Sequence, residues 1–115
     1  MDLDELRAHC VAKPAVTEEY PFGPGAAVFK VAGKMFAIAE VDAAPFQFSV
    51  KCEPDLAVAL RQSYAAVQPG YHLNKRHWNT VVCDGSIPDA TLGDFLDDSY
   101  DLVVDGLPRR LRDAL

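Results

Sequence analysis

Cysteine is scarce in this sequence, and its placement argues against a disulfide framework. The 115 residues include three cysteines, Cys10, Cys52 and Cys83, and no two of them form a C-x-x-C pair. An odd number of cysteines without paired spacing is not typical of a domain held together by disulfides. We therefore expect three free thiols in a reducing compartment.

Long apolar runs are also missing. The N-terminal stretch MDLDELRAHCVAK has no basic region followed by an apolar run, so it does not resemble a signal peptide. No other stretch is apolar enough to span a bilayer. We therefore expect a cytoplasmic protein with no membrane partner.

Positive charge is in deficit over the chain as a whole. The formal net charge is -6, while half of the residues are hydrophobic and 24% are charged. That composition predicts one globular domain over residues 1–115 rather than a disordered chain. An acidic total opposes non-specific attraction to phosphate backbones, so any nucleic-acid role requires a local basic patch.

The sequence lacks the spacings that common catalytic, cofactor and metal sites require. GPGAAVFKVAGK does not have the G-x-x-x-x-G-K-[ST] pattern of a phosphate-binding loop. His9 and Cys10 are adjacent on a predicted helix, where neighbours point about 100° apart. His72 and His77 have no cysteine or carboxylate at a recognised ligand interval. We expect no enzyme activity, no cofactor and no bound metal.

Hydrophobic periodicity predicts the secondary structure. A first helix is predicted over residues 2–12, followed by a Pro- and Gly-rich loop. Alternating residues then predict a hairpin with strands at 28–31 and 35–41, turned by Ala32, Gly33 and Lys34. PFQFSVKC predicts a third strand, with Phe46, Phe48 and Val50 on one face.

The second half alternates helix and strand. EPDLAVALRQSY predicts a helix whose apolar stripe is Leu56, Ala59, Leu60 and Tyr64. HWNTVVCD predicts a strand, and a final helix follows with an interruption at Pro108. The order α-β-β-β-α-β-(β)-α predicts a two-layer α+β domain, in which one layer is an antiparallel sheet and the other is formed by the helices. The predicted core is Phe36, Ile38, Phe46, Phe48, Val50, Val82, Leu60, Phe95 and Val103.

Five segments in this order resemble the MmcQ/YjbR family over nearly the whole chain. They are EEYPFGP, VFKVAGKMFAI, VKCEPDLAVALRQSY, PGYHLNKRHWNTV and DDSYDLVVDGLPRR. The resemblance implies a bacterial protein with an α+β domain similar to type III secretion chaperones. It also implies DNA binding, a label that family members carry by analogy with a double-wing arrangement of β-hairpins.

The segment PGYHLNKRHWNTV concentrates basic and aromatic residues in this acidic chain, together with the single tryptophan. On a functional interpretation, Lys75 and Arg76 contact phosphates and the nearby His and Asn side chains bond sugar or base edges. On a structural interpretation, Asn74 adopts a left-handed turn conformation and Trp78 packs into the core. We favour the structural interpretation for Asn74 and Trp78. The predicted nucleic-acid-binding residues are Lys30, Lys34, His72, Asn74, Lys75, Arg76 and His77.

Two functions remain open at this point. The first is weak, largely sequence-independent binding of the DNA backbone through basic hairpin tips, with Lys51 as a further contributor. The second is a protein-interaction or chaperone-like adaptor domain with no nucleic-acid role, acting as a monomer or homodimer through an apolar sheet face or a groove at YPFGPG. A continuous positive stripe would favour the first function, and a contiguous apolar patch would favour the second.

Overall fold

The computed structural model describes all 115 residues as one six-stranded antiparallel sheet with four helices. This arrangement confirms the predicted α+β class. The strands lie in the order β1-β2-β3-β4-β6-β5. No helix has the length and apolar character needed to cross a membrane. The elements in chain order are α1 (Leu3–Val11), β1 (Val16–Glu19), β2 (Ala26–Val31), β3 (Lys34–Glu40), β4 (Gln47–Lys51), α2 (Pro54–Ser63), β5 (Val67–Pro69), β6 (Trp78–Val82), α3 (Asp89–Asp105) and α4 (Arg109–Asp113).

The two faces of the sheet have different coverings. Strand alternation places Phe29, Phe48 and Val81 on one face, where they join a buried cluster with helical residues such as Leu6 and Leu96. Val28, Ile38, Ser49 and Thr80 alternate to the opposite face and remain buried. We call these the helix-covered face and the open face. Loop residues around Phe22 and Leu73, rather than helices, line a cleft on the open face.

One strand, β1, was missing from the prediction, and a second strand beside β6 was left open; both lie at the edges of the sheet. β1 carries Val16, Thr17, Glu18 and Glu19, and only alternate residues are partly buried. β5 has three residues and ends at Pro69, which the prediction had placed in a turn. Short or polar edge strands carry little hydrophobic periodicity, so their pairing with β2 and β6 is set by tertiary contacts.

The predicted helices form, with one correction in α2. Asp2 caps α1 by accepting the Glu5 N–H, and α4 restarts after Pro108, as the interruption predicted. In α2 the fully buried residue is Ala57, whereas Leu56 is 43% exposed and Ala59 is exposed. The predicted stripe was therefore wrong at Leu56 and Ala59, because the helix is rotated so that its small residue meets the sheet. The other two residues of the predicted stripe, Leu60 and Tyr64, are half-buried and pack against the core.

A bulge in β3 and a hydroxyl from α3 shape one end of the sheet. Phe29 pairs with Ala37 and Lys30 with Met35, so Phe36 has no partner on β2. The extra residue turns the Phe36 ring to the helices, where it lies 5.3 Å from the Tyr100 ring. Ser99 Oγ donates to the Phe36 carbonyl at 2.6 Å and accepts the Lys51 N–H at 2.9 Å. The buried Ser99 hydroxyl thus bridges β3 and β4 where their own ladder ends.

The predicted core is confirmed in its main members. Phe36, Ile38, Phe48, Val50, Phe95 and Val103 are buried, whereas Phe46, Leu60 and Val82 pack against the core while partly exposed. Gly93 allows the close approach of α1 to α3, because a Cβ there would lie 3.1 Å from His9 Cε1. Nearby, Asp97 Oδ1 lies 2.7 Å from His9 Nε2 and forms an ion pair with Lys13 Nζ at 2.6 Å.

Candidate nucleic-acid interface

The two predicted hairpin tips lie at the same end of the sheet. Val31 pairs with Lys34 across the first tip, and Lys51 at the end of β4 pairs with Trp78 at the start of β6. Since all neighbouring strands are antiparallel, the β2–β3 turn and the loop that precedes β6 both project from this end of the strands. We call this end of the sheet the hairpin end. The arrangement meets the geometric condition for a shared basic patch.

Contacts link five basic residues across the hairpin end. Lys34 and Lys51 line one depression together with Trp78. Trp78 accepts the Gly70 N–H through its carbonyl, and Lys75 Nζ donates to the Gly70 carbonyl at 2.9 Å. Arg61 Nη1 donates to the Lys75 carbonyl at 3.0 Å, and both line a second groove with Arg76. We call this series the basic stripe: Lys34, Lys51, Arg61, Lys75 and Arg76.

The basic stripe differs in its ion pairing from Arg7, Lys13, Lys30 and Arg109, each of which forms a salt bridge. No residue of the stripe forms a salt bridge with a carboxylate. Elsewhere, Arg7 Nε lies 2.7 Å from Glu18 Oε1, and this guanidinium holds the pKa of the Glu18 carboxyl below its usual value. Asp55 is the carboxylate among the residues that line the second groove. The unpaired positive charges of the stripe therefore remain available to an anionic partner.

Lys30 stands apart from the stripe. Its Nζ lies 3.3 Å from Glu19 Oε1, and its side chain is only 21% exposed. Hydrogen bonds from Thr17 and Lys30 lower the pKa of the Glu19 carboxyl, which keeps the partner ionised. Lys34, by contrast, is exposed at the tip. Of the two predicted lysines on this hairpin, Lys34 is the better placed for a phosphate contact.

Close backbone contacts shape the loop that carries Lys75 and Arg76. A Cβ at Gly70 would lie 2.8 Å from Trp78 Cβ, so this position requires glycine. Asn74 Oδ1 accepts the Arg76 N–H at 2.9 Å, a local turn that its short amide favours. The left-handed residue of the loop is His72, with φ 58°, and not Asn74. The prediction of left-handed geometry at Asn74 was wrong, because Asn74 instead stabilises the turn through its side chain.

The two predicted histidines lie in different places. His77 is half-buried, and its carbonyl accepts the Cys52 N–H at 2.7 Å beside the stripe. The His72 ring lies 4.0 Å from the Tyr71 ring and lines the cleft on the open face with Phe22. The structure therefore brings Lys34, Lys75, Arg76 and His77 to the hairpin end, and it places His72 toward the open face.

Arg61 was absent from the predicted site. A single arginine on a predicted helix is typical of an ordinary solvent-exposed residue. Its place beside the loop becomes visible only in the structure, where it donates to the Lys75 carbonyl. Lys51 was proposed as a contributor, and its position at the end of β4 agrees with that proposal. A basic residue near a helix C-terminus is a weak sequence signal, because such residues also complement the helix dipole.

The thiols and imidazoles do not form an activated cluster. Burial raises the pKa of Cys10 to about 12 and that of Cys83 to about 11, and it also raises the pKa of Cys52. A thiol with a raised pKa is a poor nucleophile at neutral pH. No group of three His, Cys, Asp or Glu side chains has metal-binding geometry. The absence of a stoichiometric metal stays a prediction, which elemental analysis of the purified protein would contradict by finding about one ion per chain.

Comparison with known sequences gives one family. The YjbR family model matches residues 11–102. The uncharacterized protein YjbR of Escherichia coli strain K12 is 40% identical over 116 residues, an alignment that covers 100% of this chain and 98% of the relative. The uncharacterized protein YbdF of Escherichia coli O157:H7 is 39% identical over 115 residues, covering 94% of this chain and 93% of the relative. These matches confirm the resemblance inferred from the five sequence segments.

Comparison with solved structures gives the same fold. A crystal structure of Deinococcus radiodurans protein DR2400, which carries the DUF419 domain, is 37% identical and superposes with a TM-score of 0.93. The match covers 98% of this chain and 86% of that chain. A crystal structure from Pseudomonas syringae, 23% identical with a TM-score of 0.76, covers 89% of this chain and 98% of its own. The second match supports the fold alone.

Proposed function

This chain belongs to the YjbR family, and from that premise we propose that it binds the phosphate backbone of DNA weakly and without sequence preference. The observation that carries the proposal is the basic stripe, whose five side chains lie along one end of the sheet without carboxylate partners. Phosphate contacts fix a protein on DNA but carry no sequence information. We propose no catalytic activity for the domain.

The charge of the whole chain limits the strength of such binding. Each phosphate neutralised on duplex DNA changes the slope of log affinity against log salt by about -0.9, so five residues limit the slope to about -4.5. The net charge of -6 repels DNA elsewhere on the surface. We therefore expect a dissociation constant no tighter than about micromolar at physiological salt.

Replacing Lys75 and Arg76 together by alanine is expected to flatten the salt slope by roughly two, because two phosphate contacts are lost. Binding should weaken by a similar factor for every duplex sequence tested. The measurement is a fluorescence anisotropy titration of two unrelated duplexes and a single strand across a salt series. The matched control is the charge-preserving double variant Lys75→Arg, Arg76→Lys, which should keep the parental slope.

Single substitutions on the first hairpin refine the test. Lys34→Ala should lower the slope by about one, whereas Lys30→Ala should leave it nearly unchanged because Glu19 already neutralises Lys30. Folding should survive in the variants of Lys34, Lys75 and Arg76, since these residues are exposed and exposed charges contribute little to stability. No binding at low salt, or binding indifferent to the double alanine variant, would contradict the proposal.

The cleft on the open face favours a second candidate function, the binding of a protein segment. Phe22 is 67% exposed and Tyr71 is 58% exposed, and both line this cleft although they lie far apart in sequence. Exposed aromatic side chains beside a sheet face are common anchors of protein interfaces. Under this function, the double variant Phe22→Ser, Tyr71→Ser would no longer co-purify with a protein partner. Its slope of log DNA affinity against log salt would stay at the parental value.

A further inference from the structure

Another concave site lies on the opposite side of the sheet from the cleft. It is a cavity of about 100 Å³ between α2, α3 and the helix-covered face. Its wall is mostly aliphatic, with one aromatic ring, and small apolar ligands favour this kind of surface. The apolar lining residues include Val50, Leu56, Leu60, Val67, Val81 and Phe95.

One polar side chain in this wall is incompletely bonded. Asn79 is 1% exposed and lines the cavity from β6. Its Nδ2 donates to the Ala57 carbonyl at 3.2 Å, and this acceptor fixes which way the amide faces. Its Oδ1 is the buried side-chain atom without a hydrogen-bond partner. Leaving such an acceptor unpaired is unfavourable, so a donor that reaches Oδ1 would gain a favourable bond.

We propose that this cavity binds a small apolar molecule whose O–H or N–H group donates to Asn79 Oδ1. An engineered apolar cavity of about 150 Å³ holds benzene, so about one ring is the upper limit for the buried part of the ligand. The apolar wall would surround the ring, and the Asn79 amide would select a ligand with a donor. The site is separate from the DNA proposal except for Lys51, which contributes to both.

Charges at the mouth of the cavity narrow the ligand class further. Lys51, Glu53 and Asp98 line it, so two carboxylates lie near one ammonium. Burial, together with the neighbouring Asp94, Asp101 and Asp97, raises the pKa of the Asp98 carboxyl. An added negative charge is unfavourable in such surroundings. We therefore expect a neutral or cationic ligand and exclude a carboxylate such as benzoate.

Phenol and toluene form a matched pair of probes, because they have nearly the same shape and only phenol has a donor. In two-dimensional ¹H–¹⁵N NMR titrations, phenol should shift the Asn79 side-chain amide signals and the backbone amides of Leu56 and Phe95. One hydrogen bond is worth about 0.5–1.5 kcal/mol, so phenol should bind about two- to tenfold more tightly than toluene. Benzoate should bind more weakly than either.

Two variants separate the roles of the amide and of the cavity. Asn79→Leu, which keeps the branching and the number of side-chain heavy atoms but replaces both polar groups by methyl groups, should remove the preference for phenol over toluene. If that variant does not fold, Leu56→Trp provides an independent test, because Leu56 is a 43% exposed lining residue and its enlargement should block the cavity. Val58→Trp is its matched control, since Val58 is 46% exposed on the same helix and lies outside the cavity.

The outcomes decide the proposal as follows. Phenol selectivity that disappears in Asn79→Leu, or binding that Leu56→Trp blocks and Val58→Trp leaves intact, would support it. Equal affinity for phenol and toluene in the parent, shifts confined to residues outside the cavity, or no shifts at millimolar probe would each overturn it.

Discussion

Replacing Trp78 by alanine is expected to lower the free energy of unfolding by about 3 kcal/mol or more. The side chain is 8% exposed at the start of β6, opposite Lys51 in the register. Its removal would leave a void between the loop that begins at Gly70 and the segment after α3, where Leu107 is also buried. The loss of a buried indole costs both its transfer from water and the cavity that partial relaxation leaves behind.

Urea denaturation followed by circular dichroism measures the effect of Trp78→Ala. Tyr71→Ala is the matched control, because it removes a 58% exposed aromatic ring from the same loop and should change stability by no more than about 0.5 kcal/mol. A Trp78→Ala protein that unfolds like the parent yet loses DNA binding would contradict the packing role. It would instead identify Trp78 as a recognition residue.

Ser99→Ala is expected to cost about 2–4 kcal/mol, a large effect for the loss of one oxygen atom. The hydroxyl satisfies two backbone groups at once, the Phe36 carbonyl and the Lys51 N–H, and Ser99 itself is fully buried. Each buried backbone group left without a partner costs roughly 1–3 kcal/mol. The bulge at Phe36 prevents β2 from supplying an alternative partner.

The matched control for Ser99→Ala is Ser63→Ala, an exposed serine at the end of α2 that should change stability by no more than about 0.5 kcal/mol. Both variants remove one hydroxyl oxygen from the parent. The difference between their free energies of unfolding, measured by urea denaturation, therefore reports the burial and hydrogen bonds of the Ser99 hydroxyl. A Ser99→Ala variant that is as stable as the Ser63→Ala variant would show that β3 and β4 close directly without the hydroxyl.

Local chemistry made much of this fold predictable from the sequence. Alternation identified β2, β3, β4 and β6, and the Ala32-Gly33 turn has the positive φ values that a tight hairpin requires. Lys34 follows this turn directly, and the Pro69-Gly70 pair predicted the break in the chain that precedes Lys75. Apolar spacing on α3 placed Leu92, Phe95 and Ser99 on the buried side.

The remaining features depend on contacts between distant segments. β1 pairs with β2 although its own pattern is weak, and Arg61 reaches the Lys75 carbonyl only after α2 and the loop have packed together. The cleft joins Phe22 to Tyr71 from two loops, and Asn79 lies beside α2 in a way no local spacing encodes. These contacts join segments that are distant in sequence, so they form only when the core packs. The rotation of α2 about its axis, which also depends on that packing, decides which of its residues are exposed.

The bridge made by Ser99 also determines what the Lys51 amide reports in solution. Its N–H donates to a side chain of α3 and not to the neighbouring strand. Amide hydrogen exchange requires that this bond break, and a local opening that lifts α3 from the sheet suffices while the strand ladders stay intact. The exchange rate at Lys51 therefore tracks the docking of α3, whereas Val50 and Thr80 within the ladders track the opening of the sheet.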